Sequence, residues 1–299
     1  MAREEREHAA GVLIGDPERA LAYRLLVATG GGRRGCTPPD ETPPAASTSG
    51  DGGGRRGRTP PDETPPAGST SGAGGTPPDD DADGPVERAA RIVALGLDED
   101  AAPRAVDAAA ARALRDSDPR VRAAALGALA RTGTEGRALV AWQRALGDPD
   151  AAVRRRAGEL APVLAGRTEP TGLVAGLVEL LRDGDGTVVE AAAWALGELG
   201  RVAISAGATA PLATTATTHD DPLAREAAVA ALGALGDPGG LDAVLAACHD
   251  KPAIRRRAVL ALAPFEGAAV EAAIDAALED RDWQVRQAAE DLKDAAGNE

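Results

Sequence analysis

The sequence has few aromatic residues, few cysteines and few histidines. Among its 299 residues are three Trp, one Tyr and one Phe, so apolar volume must come mainly from Ala, Val and Leu. Such a core suits closely packed helices and disfavours β architectures, which are rich in aromatic and β-branched residues. Cys36 and Cys248 cannot form a disulfide framework, and three scattered histidines are poor material for a metal site. We therefore expect an all-α protein without a cofactor or bound metal.

Long apolar runs and recognisable leader segments are also missing. No run approaches the roughly 18 apolar residues of a membrane span. The opening sequence MAREEREH is neither a signal peptide nor a transit peptide. We expect a cytoplasmic protein without a membrane partner.

Positive charge is scarce and consists almost entirely of arginine. The chain has 33 Lys+Arg against 47 Asp+Glu, a net charge of −14, and its only lysines are Lys251 and Lys293. This bias resembles proteins of halophilic archaea, although a GC-rich genome alone also favours Ala, Arg, Gly and Pro. At about 1 M salt the Debye length is near 3 Å and affinity for phosphate backbones falls steeply. Nucleic acid is thus a disfavoured partner.

Residues 30–84 contain no Val, Ile, Leu, Met, Phe, Tyr or Trp, and 24 of these 55 residues are Gly or Pro. Nothing in this segment can offset the entropy of ordering it, so we expect a disordered insertion. Residues 31–45 recur almost unchanged at 53–67, which indicates a tandem duplication of a tolerated linker. Its five Thr-Pro steps leave phosphorylation or recruitment of a partner as an alternative.

One motif recurs six times after residue 85, with the approximate form D-P-x-V-R-x-A-A. Its apolar anchors are Val121, Val153, Val188, Ala224, Ile254 and Val285, at spacings of 32, 35, 36, 30 and 31 residues. Small or apolar residues follow each anchor at +3, +4, +7 and +8, which is one stripe at helical period. A period of this length indicates stacked helical hairpins, in which the motif begins the second helix.

The motif resembles HEAT repeats, in particular the variety named after phycobilisome lyases. The resemblance covers roughly residues 85–293 and implies an α-solenoid of about seven hairpins, most often a binding scaffold and sometimes an enzyme. It also implies that Asp at −3 and Arg at +1 form ladders between successive repeats. These residues are Asp118, Arg122, Asp150, Arg154, Asp185, Asp221, Arg225, Arg255, Asp282 and Arg286. Val189 and Lys251 interrupt the pattern, so we expect altered curvature at those two junctions.

The same template with Val86 as anchor places a further second helix at 85–96. The first helix of this hairpin is predicted at residues 17–29, so the insertion lies in the turn between the two helices. Lengthening a five-residue turn to this 55-residue insertion raises the entropic free-energy cost of closing the loop by only about 2 kcal/mol. We divide the chain into residues 1–29 (a capping helix at 2–13 and the first helix of repeat 1), the insertion at 30–84, and the repeat array at 85–299.

Positions +2 and +6 of the second helices point away from the predicted core at about 100° per residue. In HEAT-like stacks these helices line the concave surface, which makes those positions candidates for binding a partner. The candidates are Trp194, Arg155, Glu159, Glu190, Glu226 and Arg256. Trp194 is the aromatic anchor of this set, since Trp and Arg are common interface hot spots. Sideways packing of its indole on the next repeat is the alternative.

Three other features allow functional and structural interpretations. The trios Arg154–Arg156 and Arg255–Arg257 suit an acidic partner or phosphates, but also ion pairs within the array. His219 and His249 occupy equivalent turns. We interpret them as solvated turn residues, with a metal bound by the two imidazoles as the alternative. The His-Glu pairs by which deoxyhypusine hydroxylases hold iron are absent.

The sequence thus predicts a monomeric, noncatalytic scaffold that binds another protein through its concave surface. An accessory or enzyme-like member of the lyase-type family is the alternative. Residues 204–218, with Gly207, Pro211 and five threonines, should form the weakest first helix.

Overall fold

The computed structural model describes residues 84–98 and 100–297, and every regular element in this part of the chain is helical. The α-helices are α1 Pro85–Leu97, α2 Pro103–Ala113, α3 Pro119–Thr132, α4 Glu135–Ala145, α5 Ala151–Ala165, α6 Thr171–Leu180, α7 Gly186–Leu199, α8 Arg201–Ser205, α9 Thr209–Thr218, α10 Pro222–Leu235, α11 Leu241–Ala247, α12 Pro252–Ala261, α13 Ala268–Leu278 and α14 Trp283–Gly297. A short 3₁₀ helix, Pro238–Gly240, leads into α11.

The helices form successive hairpins that stack in chain order. The pairs are α2 with α3, α4 with α5, α6 with α7, α9 with α10, α11 with α12 and α13 with α14. The second helices α1, α3, α5, α7, α10, α12 and α14 each pack directly on the next in this order, while the first helices are less closely packed on one another. This succession of neighbour-to-neighbour contacts is an α-solenoid and confirms the predicted fold class.

Aspartate side chains fix where most second helices begin. Asp118, Asp150, Asp185 and Asp221 each accept a hydrogen bond from the backbone N–H two residues later, at the N-cap of their helix. Such a cap satisfies one of the N–H groups that a helix end leaves unpaired. Lys251 occupies the N-cap of α12 and makes no side-chain cap.

Small residues allow the second helices to approach closely. A Cβ on Gly233 of α10 would lie 2.7 Å from the Cα of Ala261 in α12, and one on Gly96 of α1 would lie 2.6 Å from the Cα of Ala128 in α3. The core between these contacts is made of buried Ala, Val and Leu. The low aromatic content is therefore what lets successive second helices lie against each other.

Trp142 is the large exception in this core of small residues. It is fully buried in α4, and its indole Nε1 donates to the carbonyl oxygen of Ala157 in α5 at 2.8 Å. A Cβ on Gly176 in α6 would lie only 2.6 Å from the indole ring. This one side chain therefore joins the helices of one repeat to the first helix of the next.

Helix α1 adopts a register one residue later than the template predicted. Val86 was expected to be its buried anchor, but its exposed fraction is 59%. Arg88, not Glu87, forms the ion pair with the next repeat, at 2.8 Å from Asp116. Pro85 occupies the first helical position and so begins the helix one residue later than the motif aligned on Val86 implies.

The predicted weak helix is interrupted in the structure. The helical conformation is interrupted between α8 and α9 at Gly207, whose φ of 81° lies in the left-handed region that favours glycine. Within α9 the hydroxyls of Thr214, Thr215 and Thr218 donate back to carbonyl oxygens four residues earlier, while Leu212 and the Thr215 side chain are buried. Packing therefore holds a segment of poor intrinsic helix propensity.

The predicted capping helix at 2–13, the first helix at 17–29 and nearly all of the insertion at 30–84 lie outside the described residues. Within residues 84–98 and 100–297, no helix has the length and apolar character that crossing a membrane requires.

Candidate functional site

The turns before the second helices are joined by bidentate Arg–Asp ion pairs. The arginine at +1 of one second helix donates through Nε and Nη2 to an aspartate at −5 or −4 of the next repeat, with N–O distances of 2.6–3.0 Å. We call these contacts the arginine ladder. Its pairs are Arg88–Asp116, Arg122–Asp148, Arg154–Asp183, Arg225–Asp250 and Arg255–Asp280.

Four ladder arginines, Arg122, Arg154, Arg225 and Arg255, are also tied to their own turn. Nη1 of Arg122 donates to the carbonyl oxygens of Asp116 and Ser117, both at 3.0 Å, and Arg154 and Arg225 repeat this pattern. The hydrogen bond from Arg154 holds the pKa of Asp183 below its usual value. One arginine therefore satisfies carbonyl groups of one turn and a carboxylate of the next, which fixes how successive repeats stack.

The acid of the ladder is not the aspartate that the family resemblance implied. Asp118, Asp150, Asp185, Asp221 and Asp282 at −3 accept instead from the first turn of their own helix. The −3 acids still act at longer range: the hydrogen bonds to Asp148 and Asp183 are the main cause that raises the pKa of Arg122 and Arg154, and the charges of Asp150 and Asp185 add to it.

The two expected interruptions of the ladder have different outcomes. At α7, Val189 replaces the arginine and is fully buried, and the −5 position of the next repeat is His219, whose Nδ1 accepts from the N–H of Asp221. Both members of the pair are thus replaced together. At α12 the ladder continues despite Lys251, because Asp250 pairs with Arg225 at 2.7 Å.

The terminal ladder position has only half of these contacts. Arg286 in α14 donates to the carbonyl oxygen of Asp280 at 2.7 Å, in its own turn. No further turn follows it within the described part of the chain. Arg286 therefore keeps the hydrogen bond to its own turn that Arg122 and Arg154 also make, without a pair to a following repeat.

The predicted partner-binding residues lie on the successive second helices α5, α7, α10 and α12. Arg155 and Arg256 are exposed, while Glu159, Glu190, Trp194 and Glu226 are half-buried. We call these six residues the second-helix face. Trp194 is half-buried and packs partly against the core, so its indole is neither fully exposed nor fully buried.

Burial and the charges of neighbouring residues act together on Glu190 of this face. Desolvation and then the negative charge of Glu226 raise the pKa of Glu190, while Arg155 opposes the shift. Glu159 is paired with Arg155 at 3.4 Å and with Arg156 at 2.8 Å. Within residues 84–98 and 100–297 no hydrogen bond or ion pair links Glu190 to another side chain. The face therefore holds one carboxylate that the fold leaves uncompensated.

The arginine trios are largely used inside the array. Arg154 and Arg255 belong to the ladder, Arg155 and Arg156 pair with Glu159, and Arg257 lies 3.6 Å from Glu226. This supports the structural interpretation of the trios. Arg256 is exposed on the second-helix face.

The remaining polar candidates do not assemble into a reactive site. The part of the chain that the structure describes contains no group of three or more His, Cys, Asp or Glu residues arranged to hold a metal ion. Burial raises the pKa of the half-buried Cys248 thiol to about 11, which disfavours the reactive thiolate.

Comparison with known families agrees with the repeat architecture. Residues 174–263 and 209–292 match the family model of HEAT repeats. Together those ranges run from within α6 to within α14 and include Trp194 and Glu190. No curated protein matches the chain.

Several solved structures are distantly similar to this chain. An engineered protein has a TM-score of 0.46 and 20% identity, covering 64% of this chain and 97% of its own. A designed armadillo repeat protein has a TM-score of 0.44 and 20% identity, covering 62% and 98%. Human deoxyhypusine hydroxylase has a TM-score of 0.36 and 22% identity, covering 73% and 82%.

Proposed function

We propose that this protein is a noncatalytic scaffold that binds another protein through the second-helix face. The observation that carries the proposal is Trp194, a half-buried indole on a helix face otherwise occupied by charged side chains. A tryptophan that remains partly exposed between polar neighbours is the residue type that most often supplies binding energy at interfaces.

The arginine ladder supports this proposal because it makes the face rigid. Helices α1, α3, α5, α10 and α12 are each held to the next turn by a bidentate pair. Helix α7, which carries Trp194, has no arginine at this position and is held instead by Asp183 of its own turn, paired with Arg154, and by the close approach of Gly197 to Ala231 of α10. A preformed surface loses little conformational entropy when it binds, so a few contacts suffice for useful affinity. The close packing of the second helices also suits the inner side of a curved array.

Position-specific photocrosslinking in the native lysate tests the proposal. A photoreactive amino acid is placed at Arg155 or Arg256 on the second-helix face, and at Arg144 or Asp242 on the first helices as matched exposed controls. We expect a discrete adduct from the first pair that disappears when Trp194→Ala is added, and none from the controls. Adducts from the first-helix positions alone, or adducts unaffected by Trp194→Ala, would contradict this function.

A further inference from the structure

The second-helix face carries a pair of side chains suited to one kind of partner group. Glu190 and Trp194 are four residues apart in α7, so their side chains are neighbours on the same side of the helix. Both are half-buried, and both are therefore held more firmly than fully exposed side chains. A carboxylate beside an indole can attract a cation electrostatically and also offer it an aromatic surface.

Charge balance distinguishes Glu190 from the other acids of the face. Glu159 has two arginines within 3.4 Å, and Glu226 has Arg257 at 3.6 Å. Glu190 has Glu226, Asp221 and Glu159 as neighbouring negative charges, with Arg155 as the opposing positive charge. A half-buried carboxylate without an ion-pair partner costs folding free energy, and an incoming cation would recover it.

We propose that the second-helix face binds an extended, arginine- or lysine-bearing segment of a partner protein, with one basic side chain resting on Trp194 and paired with Glu190. This inference rests on the proposed scaffold function and specifies the chemistry of its partner. The basic side chain contributes its aliphatic stem and its cation to the indole, and its charge to the carboxylate.

An extended segment suits the spacing of the array. Packed helices lie about 8–10 Å apart, and an extended chain advances about 3.3 Å per residue, so about three residues of the partner span one repeat. A segment that places a basic residue at Trp194 can thus present its third neighbour to Glu226 on α10. The exposed Arg155 and Arg256 on either side disfavour a uniformly basic segment and favour one with interspersed neutral or acidic residues.

Peptide binding to the full chain tests the partner chemistry. The probe is a short labelled peptide in which arginine recurs at every third position among serines, measured by fluorescence anisotropy at about 0.15 M salt. Matched peptides carry citrulline, which keeps the shape without the charge, or glutamate in place of arginine. The variants are Glu190→Gln and Trp194→Ala. The control is Glu179→Gln, which removes the same charge from an exposed position on α6 of the same hairpin.

The expected result is binding of the arginine peptide and loss of binding with citrulline or glutamate. Glu190→Gln and Trp194→Ala should each weaken binding by at least about fivefold, and Glu179→Gln by less than about twofold. Equal weakening by Glu179→Gln would mean general attraction to a chain of net charge −14 and would overturn the proposal. A preference for the glutamate peptide would overturn it as well.

Two further measurements separate the ways in which the proposal can fail. Circular dichroism establishes that each variant is folded, and Trp194→Phe, which keeps an aromatic ring, should restore part of the affinity if Trp194→Ala disturbs packing. If crosslinks form from the second-helix face but the arginine peptide does not bind, the partner chemistry is wrong and the scaffold function stands. If crosslinking also fails, the scaffold function falls with it.

Discussion

Arg154 and Asp183 form a bidentate ion pair between successive repeats, with Nε to Oδ2 at 2.6 Å and Nη2 to Oδ1 at 2.8 Å. The third nitrogen of the same guanidinium donates to the carbonyl oxygens of Asp148 and Pro149 in its own turn. One side chain thus links its own turn to the turn that contains Asp183, 29 residues further along the chain than Arg154. Because each of the three guanidinium nitrogens has a fixed acceptor, the pair determines stacking geometry more specifically than an exposed ion pair would.

Removing this ladder arginine should destabilise the array. We expect Arg154→Ala to lower the free energy of unfolding by about 1–3 kcal/mol, since it removes hydrogen bonds to a charged group and leaves carbonyls unpaired. Arg182→Ala, which removes an exposed arginine paired with Glu179, is the control and should cost less than about 1 kcal/mol. Urea unfolding measures both. Equal effects would show that the ladder is no stronger than a surface ion pair.

The ladder also predicts how stability depends on pH. Hydrogen bonds from Arg88, Arg154, Arg225 and Arg255 lower the pKa of their aspartates below the usual 3.8. A lowered pKa in the folded state stabilises the fold at pH values above 3.8, and this contribution is lost as pH falls through the lower folded value.

Thermal unfolding between pH 5 and about 2 measures this loss. We expect the melting temperature to fall steeply below about pH 4, and less steeply in Arg154→Ala because one coupled pair is missing. Parallel curves for the two proteins would exclude a role for this pair in acid unfolding.

Close contact between second helices leaves no room for a side chain at Gly233. Gly233→Ala would place a methyl group 2.7 Å from the Ala261 backbone, and we expect a loss of about 1–3 kcal/mol despite the better helix propensity of alanine. Gly172→Ala in α6, where a Cβ would meet nothing within 4 Å, is the matched control and should be neutral or slightly stabilising. Urea unfolding measures the free energy of unfolding of both variants. A Gly233→Ala protein as stable as the parent would contradict the close packing.

The repeats could be predicted from the sequence because each one carries the same local signals. An Asp or Pro before the helix, an anchor and a small-residue stripe at helical period specify the second helices without long-range information. The ladder acids were missed although a signal existed. Four turns contain Asp-x-Asp, namely those at Asp116, Asp148, Asp183 and Asp280, and only the second aspartate of each was considered.

Side-chain partners between repeats could not be predicted in the same way. The register of α1 follows from Pro85 at its first helical position together with the close approach of Gly96 to Ala128 of the next repeat, which outweigh the match of Val86 to the motif. The burial of Trp142 depends on space left by Gly176 in another hairpin. The charge balance at Glu190 has no signal in its own repeat, because it depends on Glu226, Asp221, Arg155 and Glu159 of the neighbouring repeats.

The pairing of residues 17–29 with α1 stays a prediction. Val86, Val93 and Leu97 lie on one side of α1 and are exposed, so this helix presents apolar surface that another helix could cover. Limited proteolysis near Arg55 in the insertion tests the pairing. The two fragments should co-elute on size exclusion under native conditions, and their separation would reject the hairpin.

The Glu190→Gln variant allows the most direct measurement, because it separates stability from binding. Burial and Glu226 raise the pKa of Glu190 above its usual 4.5, so its charge destabilises the fold at neutral pH, and protonation relieves this cost as pH falls. We predict that at pH 7 Glu190→Gln raises the melting temperature by about 1–3 °C and weakens binding of the arginine peptide at least about fivefold. A variant that is less stable, or that binds the peptide as tightly as the parent, would contradict a second-helix face built around an uncompensated carboxylate.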